Sequence, residues 1–207
     1  MEFTRTEVFN LDGAIRGMRN PMDSWSKSDS YWMKGYQTYF IGENDLKLAQ
    51  QLIKAGNEHR KFLRQIFVST DIIAPRYWWS EFDTYKINTV SNSCSTMHKL
   101  ASYPITLDMF EIDPSSLTTQ GISFYEIVIE YLESLRQQYN NTKDIKYFRA
   151  MKQALPESFK QKRTITMNYE NIRNMIHSRK NHRLKEWSTD FILWSSKLPY
   201  SEQFIFD

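Results

Sequence analysis

The side chains best suited to hold a charged ligand lie around Arg179 and around Cys94. The planar guanidinium of Arg179 can make two parallel, charge-assisted hydrogen bonds to an oxyanion. Its other interpretation is a solvated cation at a helix end, where the helix dipole favours positive charge. In the polar stretch Asn88–Thr96, the run Ser93-Cys94-Ser95 offers backbone amides and hydroxyls that can cradle a phosphate.

Cys94 itself has two interpretations. It is either a thiol nucleophile, with His98 and Lys99 as the nearby groups able to activate it, or an inert, small hydrophobic residue. Asn168 and Asn174 each offer an amide donor and acceptor for the edge of a planar ring, although Asn168 is also a good helix N-cap. The histidines show no metal-like spacing, and the glycines form no phosphate-binding fingerprint.

Hydrophobic spacing predicts the elements that position these residues. Helices are expected over Asp45–Ala55, Arg76–Tyr85, Phe124–Tyr139, Asp144–Leu155, from Asn168 onward, and over roughly Leu184–Lys197. Strands are expected over Phe67–Ala74 and Lys162–Met167. We therefore predict one domain over residues 1–207, with an α+β fold of helices packed on a modest mixed or antiparallel sheet.

Composition narrows the class of protein. A net charge of +3 is mild for a nucleic-acid binder, while a small anionic ligand stays compatible. The single cysteine excludes an intramolecular disulfide framework and a cysteine-based zinc site. No apolar signal core or bilayer-spanning stretch is visible. We expect a cytoplasmic protein that binds neither a nucleic-acid polymer nor a membrane.

The C-terminal third resembles the flavin-dependent thymidylate synthases. Their Arg-x-x-x-Pro helix end appears as Lys152-Gln-Ala-Leu-Pro156, with lysine in place of arginine. Their Asn-x-Arg-x-x-x-Asn helix start appears as Asn168-Tyr-Glu-Asn-Ile-Arg-Asn174, with Glu170 in place of arginine. Arg179 then falls where the family places its main substrate arginine, and the spacing between these elements needs no gap.

The centre of the chain follows the family pattern less closely. The family's Arg-His-Arg triplet, which holds the flavin, corresponds to Thr84-Tyr85-Lys86, and the serine that follows it corresponds to Cys94. A glycine–histidine element upstream of the triplet appears as Gly56-Asn57-Glu58-His59. The resemblance covers about two-thirds of the chain in patches, and the fold is the property that it supports best.

The resemblance implies methylation of dUMP to dTMP by a homotetramer that uses FAD, NADPH and methylenetetrahydrofolate. Arg179 would hold and polarise the nucleotide, and the phosphate would meet Lys152 with the run Asn92, Ser93, Cys94 and Ser95. Lys86, Asn168 and Asn174 would face the flavin. Two alternatives stay open: a divergent enzyme that modifies C5 of another pyrimidine nucleotide, and a non-catalytic homologue that only binds nucleotides.

Overall fold

The computed structural model describes residues 1–35 and 38–207, and it has the α+β fold class predicted from the sequence. The strands are β1 (Glu2–Phe9), β2 (Tyr31–Trp32), β3 (Tyr39–Phe40), β4 (Phe67–Pro75), β5 (Val90–Ser93) and β6 (Lys160–Asn168). The α-helices are α1 (Leu11–Arg19), α2 (Glu43–Lys54), α3 (Arg76–Phe82), α4 (Thr96–Lys99), α5 (Thr119–Thr142), α6 (Ile145–Ala154), α7 (Tyr169–Arg179) and α8 (Ile192–Ser195).

Four of the strands form one sheet in the order β1-β4-β6-β5. The two short strands β2 and β3 pair antiparallel in a separate ribbon, with Tyr31 opposite Phe40 and Trp32 opposite Tyr39. Short 3₁₀ segments connect several elements, and one of them, Arg60–Gln65, leads into β4. Near the C-terminus, Glu186–Phe191 and Glu202–Phe206 are π-helical.

Most of the predicted elements are present with small shifts at their ends. The helix predicted over Leu184–Lys197 differs in type, because its first part is the π-helical segment Glu186–Phe191 that continues into α8. The wider π turn holds Trp187 and Phe191 in the interior, where both side chains are fully buried. The polar stretch Asn88–Thr96 contains strand β5.

The chain divides into two compact units, each built from three stretches of sequence. The α5–α6 unit comprises Met1–Glu2, Ile72–Thr84 and Asn92–Arg163, and the α7 unit comprises Phe3–Asp71, Tyr85–Ser91 and Thr164–Asp207. The expectation of one domain over residues 1–207 stays a prediction.

The α5–α6 unit contains a helical hairpin, formed by α5 and α6, with its own apolar core. Leu132 and Leu135 of α5 pack with Phe148 and Met151 of α6, and all four side chains are buried. Asp144 caps α6 by accepting a hydrogen bond from the Lys146 amide at 3.0 Å. The aromatic pair Trp78-Trp79 of α3 is buried.

Glu133 of α5 anchors the segment that precedes the hairpin. Its carboxylate accepts hydrogen bonds from the Ile105 amide at 2.9 Å and from the Arg136 guanidinium at 2.7 and 2.6 Å. The bonds from Arg136, opposed by burial and supported by the Ile105 amide, lower the pKa of Glu133 to about 2. The native state therefore favours the ionised carboxylate strongly.

We expect Glu133→Gln to destabilise the protein by about 1.5 kcal/mol at neutral pH, because hydrogen bonds to a charged group are lost. A lowered carboxyl pKa stabilises the fold above the unfolded value of 4.5, and this contribution is lost as the pH falls towards about 2. The difference between wild type and variant, measured by urea unfolding, should therefore shrink below pH 4.5. Glu130→Gln, an exposed change on the same helix, is the control; an equal effect of both variants would contradict the assignment.

The α7 unit surrounds α7 with short helical segments. Ile172, Met175 and Ile176 of α7 are buried, and the Arg173 guanidinium donates to the carbonyl oxygens of Phe204 and Ile205 at 3.4 and 3.2 Å. These bonds satisfy carbonyl groups at the C-terminal end of the chain that the helix leaves without partners. The unit thereby fixes both the position and the orientation of α7.

Candidate functional site

Helix α7 begins with a reciprocal cap. The side-chain oxygen of Asn168 accepts from the Asn171 amide at 2.9 Å, and the side-chain oxygen of Asn171 accepts from the Asn168 amide at 3.3 Å. Asn168 is only 1% exposed. The structure therefore confirms the N-cap interpretation of Asn168, and its side-chain oxygen already accepts the hydrogen bond of the cap.

The segment Tyr85–Ser91 lies along α7. The side-chain amide of Asn171 donates to the Ile87 carbonyl at 2.8 Å near the start of the helix, and the Arg179 Nε donates to the Tyr85 hydroxyl at 3.0 Å at its end. Lys86, which is exposed, lies between these two anchored residues. The structure thus brings Lys86 alongside the helix that carries Asn168, Asn174 and Arg179.

The guanidinium of Arg179 rests among aromatic rings. Its central carbon lies 5.7 Å from the centre of the Tyr85 ring and 5.4 Å from that of Trp187, and its Nη1 lies 3.1 Å from Nε2 of His182. Ring faces attract cations, and the partly buried side chain is restrained on several sides. This packing differs from that of a solvated cation at a helix end, and it holds the planar fork in a fixed orientation.

Glu170 and Asn174 contact arginines of the segment Arg60–Gln65. Arg60 donates through Nε to Glu170 at 3.3 Å and through Nη2 to Asn174 at 3.4 Å, while Arg64 forms a close ion pair with the same carboxylate. Glu170 is 9% exposed. Although Glu170 replaces an arginine of the family pattern, its negative charge is compensated by two cations.

In the α5–α6 unit, the backbone of Cys94 is fixed against β6. Its amide donates to the Lys162 carbonyl at 2.8 Å, and its carbonyl accepts from the Gln161 side chain at 2.9 Å. Asn92 and Ser93 belong to β5 and are exposed. Because the Cys94 amide is already bonded, the predicted phosphate cradle is reduced to the side-chain hydroxyls and the amides that follow it.

Lys152 approaches the same segment from the end of α6. Its ammonium lies 2.6 Å from the Thr96 hydroxyl, and no carboxylate pairs with it among the residues that the structure describes. Burial, together with the nearby charge of Arg76, holds the pKa of Lys152 below its usual range. A partly buried ammonium paired only with a hydroxyl is well suited to receive an anion.

A cavity of about 560 Å³ opens beside this segment, within the range typical of small-molecule sites. Cys94, Ser95 and Thr96 form part of its wall, and Cys94 is an exposed free thiol. The apolar part of the wall is formed by Ile73, Leu100, Met109 and Phe159. The cavity thus combines an apolar floor with the hydroxyl-bearing segment that Lys152 contacts.

Several contacts that build these sites were not predicted from the sequence. In the sequence, Tyr85 is only the middle residue of the altered triplet, and Thr96 is only the end of a polar stretch. Arg60 and Arg64 carry no local signal, since they meet Glu170 across more than a hundred residues of chain. Within residues 1–35 and 38–207, no group of three metal-ligating side chains occurs, and no helix is long and apolar enough to cross a membrane.

Comparison with known proteins finds solved structures that are similar to this one. No family model and no curated protein matches the sequence. Two solved structures of the flavin-dependent thymidylate synthase ThyX from Helicobacter pylori, both with FAD and dUMP, are similar over 100% of this chain and 98% of theirs. Their TM-scores are 0.70 and 0.71, at 20% and 19% sequence identity. The chain therefore has the fold of the flavin-dependent thymidylate synthases, the fold that the resemblance of its C-terminal third implied.

Proposed function

We propose that the protein is a flavin-dependent thymidylate synthase, which methylates dUMP with methylenetetrahydrofolate as carbon donor and NADPH as reductant. The observation that carries the proposal is the fixed guanidinium of Arg179 at the end of α7, which donates to the Tyr85 hydroxyl and lies 5.4 Å from the centre of the Trp187 ring. The fold supports the same reading, because the similar Helicobacter pylori structures contain FAD and dUMP.

In this proposal Arg179 binds the pyrimidine and polarises it. A planar fork of fixed orientation can donate two parallel hydrogen bonds to an oxygen-rich edge, and it stabilises negative charge that develops there. The Tyr85 hydroxyl accepts from Nε, and Nη1 lies 3.1 Å from Nε2 of His182, so a ligand would share the guanidinium with these partners. These contacts orient the fork before the nucleotide binds.

Lys152 is proposed to bind the nucleotide's phosphate, assisted by the hydroxyls of Ser95 and Thr96. Asn92, Ser93 and Cys94 complete the proposed substrate segment, with their backbone held by β5 and β6. A phosphate dianion would replace the Thr96 hydroxyl as the strongest partner of the ammonium. The apolar floor of the adjacent cavity suits the less polar part of the ligand.

The α7 unit fits the proposed flavin at three points. Lys86 offers an exposed cation, Asn174 offers an exposed amide, and the compensated Glu170 presents no net negative charge. The Thr89 hydroxyl, in the segment that lies along α7, is buried and has no hydrogen-bond partner in the described chain. Asn168 would contribute only the part of its side chain that the cap leaves available. When bound, the reduced flavin supplies hydride.

The proposed homotetramer is supported by an apolar stripe on α5. Phe124, Ile127 and Tyr131 lie on one face of the helix and are 58%, 66% and 52% exposed. Such a stripe is typical of a surface that is covered in an assembly, which light scattering would test. The cytoplasmic location stays a prediction from the sequence.

The test is the visible absorption spectrum of the purified protein before and after addition of FAD and dUMP. We expect a bound-flavin band that shifts when dUMP is added, followed by formation of dTMP when the carbon donor and NADPH are supplied. A protein that takes up no FAD would overturn the proposal.

The altered triplet Thr84-Tyr85-Lys86 and the exposed thiol of Cys94 favour a second candidate, a divergent enzyme that modifies C5 of a pyrimidine nucleotide. Product analysis with dUMP and dCMP separates the two candidates. A product from dCMP, or a product of dUMP other than dTMP, would favour the second.

A further inference from the structure

Two arginines of the segment Arg60–Gln65 lie against the first turns of α7. Arg60 Nε and Arg64 Nη2 lie 3.3 and 3.4 Å from the same carboxylate oxygen of Glu170, so the two guanidinium groups are neighbours. Arg64 also pairs with the second oxygen and donates to the Asn57 carbonyl at 3.3 Å. The Glu170 carboxylate therefore holds the two guanidinium groups side by side.

The cluster carries more positive than negative charge. Two guanidinium groups share one carboxylate, and the neighbouring pair of Lys61 and Glu58, 3.4 Å apart, adds no net charge. Only part of the guanidinium edge is used, because Nη1 of both arginines has no hydrogen-bond partner within the described residues. Arg64 is 39% exposed and Arg60 is 16% exposed.

We propose that Arg60 and Arg64, aligned by Glu170, bind the diphosphate group of a dinucleotide. Each guanidinium can pair with one phosphoryl group, and a ligand with two linked anionic centres matches two cations held side by side. The exposed amide of Asn174, bonded to Arg60, lies at the same surface. Arg60 and Arg64 thereby supply the positive charge that is lost where Glu170 replaces an arginine of the family pattern. The identity of the dinucleotide, FAD or NADPH, rests on the proposed function.

Two binding measurements test this site without an assay of enzyme activity. In the wild-type protein, the Nε signals of Arg60 and Arg64 should shift in nitrogen-15 NMR when inorganic pyrophosphate is added, and those of Arg5 should not. In calorimetry, Arg64→Gln should weaken binding of pyrophosphate about tenfold, because a hydrogen bond to a charged group is lost. The exposed neighbour change Lys61→Gln is the matched control.

The ligand series identifies the source of the diphosphate. If FAD is the ligand, Arg64→Gln weakens the binding of FAD about tenfold. The binding of riboflavin, which lacks the diphosphate, stays unchanged. If NADPH is the ligand, Arg64→Gln weakens the binding of NADPH and leaves the binding of FAD unchanged. Arg64→Lys, which keeps the charge without the fork, should recover part of the affinity.

The outcomes separate this inference from the proposed function. Binding of FAD that does not change in Arg64→Gln or Arg60→Gln, with no shift of either arginine signal, would overturn the diphosphate site alone. Arg64-dependent binding of pyrophosphate by a protein that takes up no FAD would support the site and overturn the flavin reaction. Thermal unfolding of each variant shows whether a loss reflects binding, since a misfolded variant would also lose its cooperative transition.

Discussion

Arg179→Ala should lower the affinity for dUMP about 100-fold, equivalent to about 2.7 kcal/mol. The substitution removes a charged fork whose orientation is fixed by the Tyr85 hydroxyl and by the Trp187 ring. The loss should exceed that of a typical surface contact, because the guanidinium is already ordered before the ligand binds. Calorimetric titration of dUMP, with bound FAD monitored in parallel, measures the effect.

Three variants locate the cause of that loss. Arg179→Lys keeps the charge but loses the planar fork, so most of the affinity should remain lost. Tyr85→Phe removes only the hydroxyl that accepts from Nε, and it should weaken dUMP binding in the wild type but not in the Arg179→Ala background. Arg183→Ala, an exposed change shortly after α7, is the control. Unchanged affinity in Arg179→Ala would instead identify a protein in which this arginine only packs, as expected for a non-catalytic homologue.

The helices and strands that the sequence predicted correctly are those with strong periodicity. Helices α2, α5, α6 and α7 bury a repeating apolar face, and β4 is rich in β-branched residues. The N-cap at Asn168 was also predicted correctly, because an asparagine before a helical pattern can accept a hydrogen bond from the first turn of the helix.

The elements that the sequence did not predict lack such a local signal. Strand β1 lies at the edge of its sheet and most of its residues are exposed, so no apolar alternation marks it. Helix α1 contains Gly13 and Gly17, which weaken helix propensity. A Cβ at Gly17 would lie 2.7 Å from Oε1 of Gln65, the end of a flexible side chain that can move away, so packing does not explain this glycine.

The candidate sites show the same division between local and long-range information. Lys152, Asn174 and Arg179 are candidates because their spacing follows a known pattern. The partners that give these residues their environment come from distant parts of the chain: Thr96 for Lys152, Arg60 for Asn174 and Tyr85 for Arg179. Sequence spacing can propose a charged residue, but its partners, burial and orientation depend on tertiary contacts.

Lys152→Met should weaken dUMP binding about 30-fold, or about 2 kcal/mol, and leave the affinity for deoxyuridine unchanged. The reason is that the ammonium, which donates to the Thr96 hydroxyl, is proposed to bind the phosphate that deoxyuridine lacks. Equal losses for the nucleotide and the nucleoside would contradict a phosphate role. Lys146→Met, on the same helix and exposed, is the control.

The pH dependence of binding gives the sharper test of Lys152. Its pKa is lowered by burial and by Arg76, and only the cationic form attracts phosphate. The affinity for dUMP should therefore hold at neutral pH and fall as the pH rises through that lowered value, before an exposed lysine would titrate. The ligand-free fold should show the opposite trend, since the unfolded state binds more protons than the native state in this window and stability rises with pH. Lys152→Arg, whose charge persists to higher pH, should remove the alkaline loss of affinity. A wild-type profile that matches the arginine variant would mean that another group holds the phosphate.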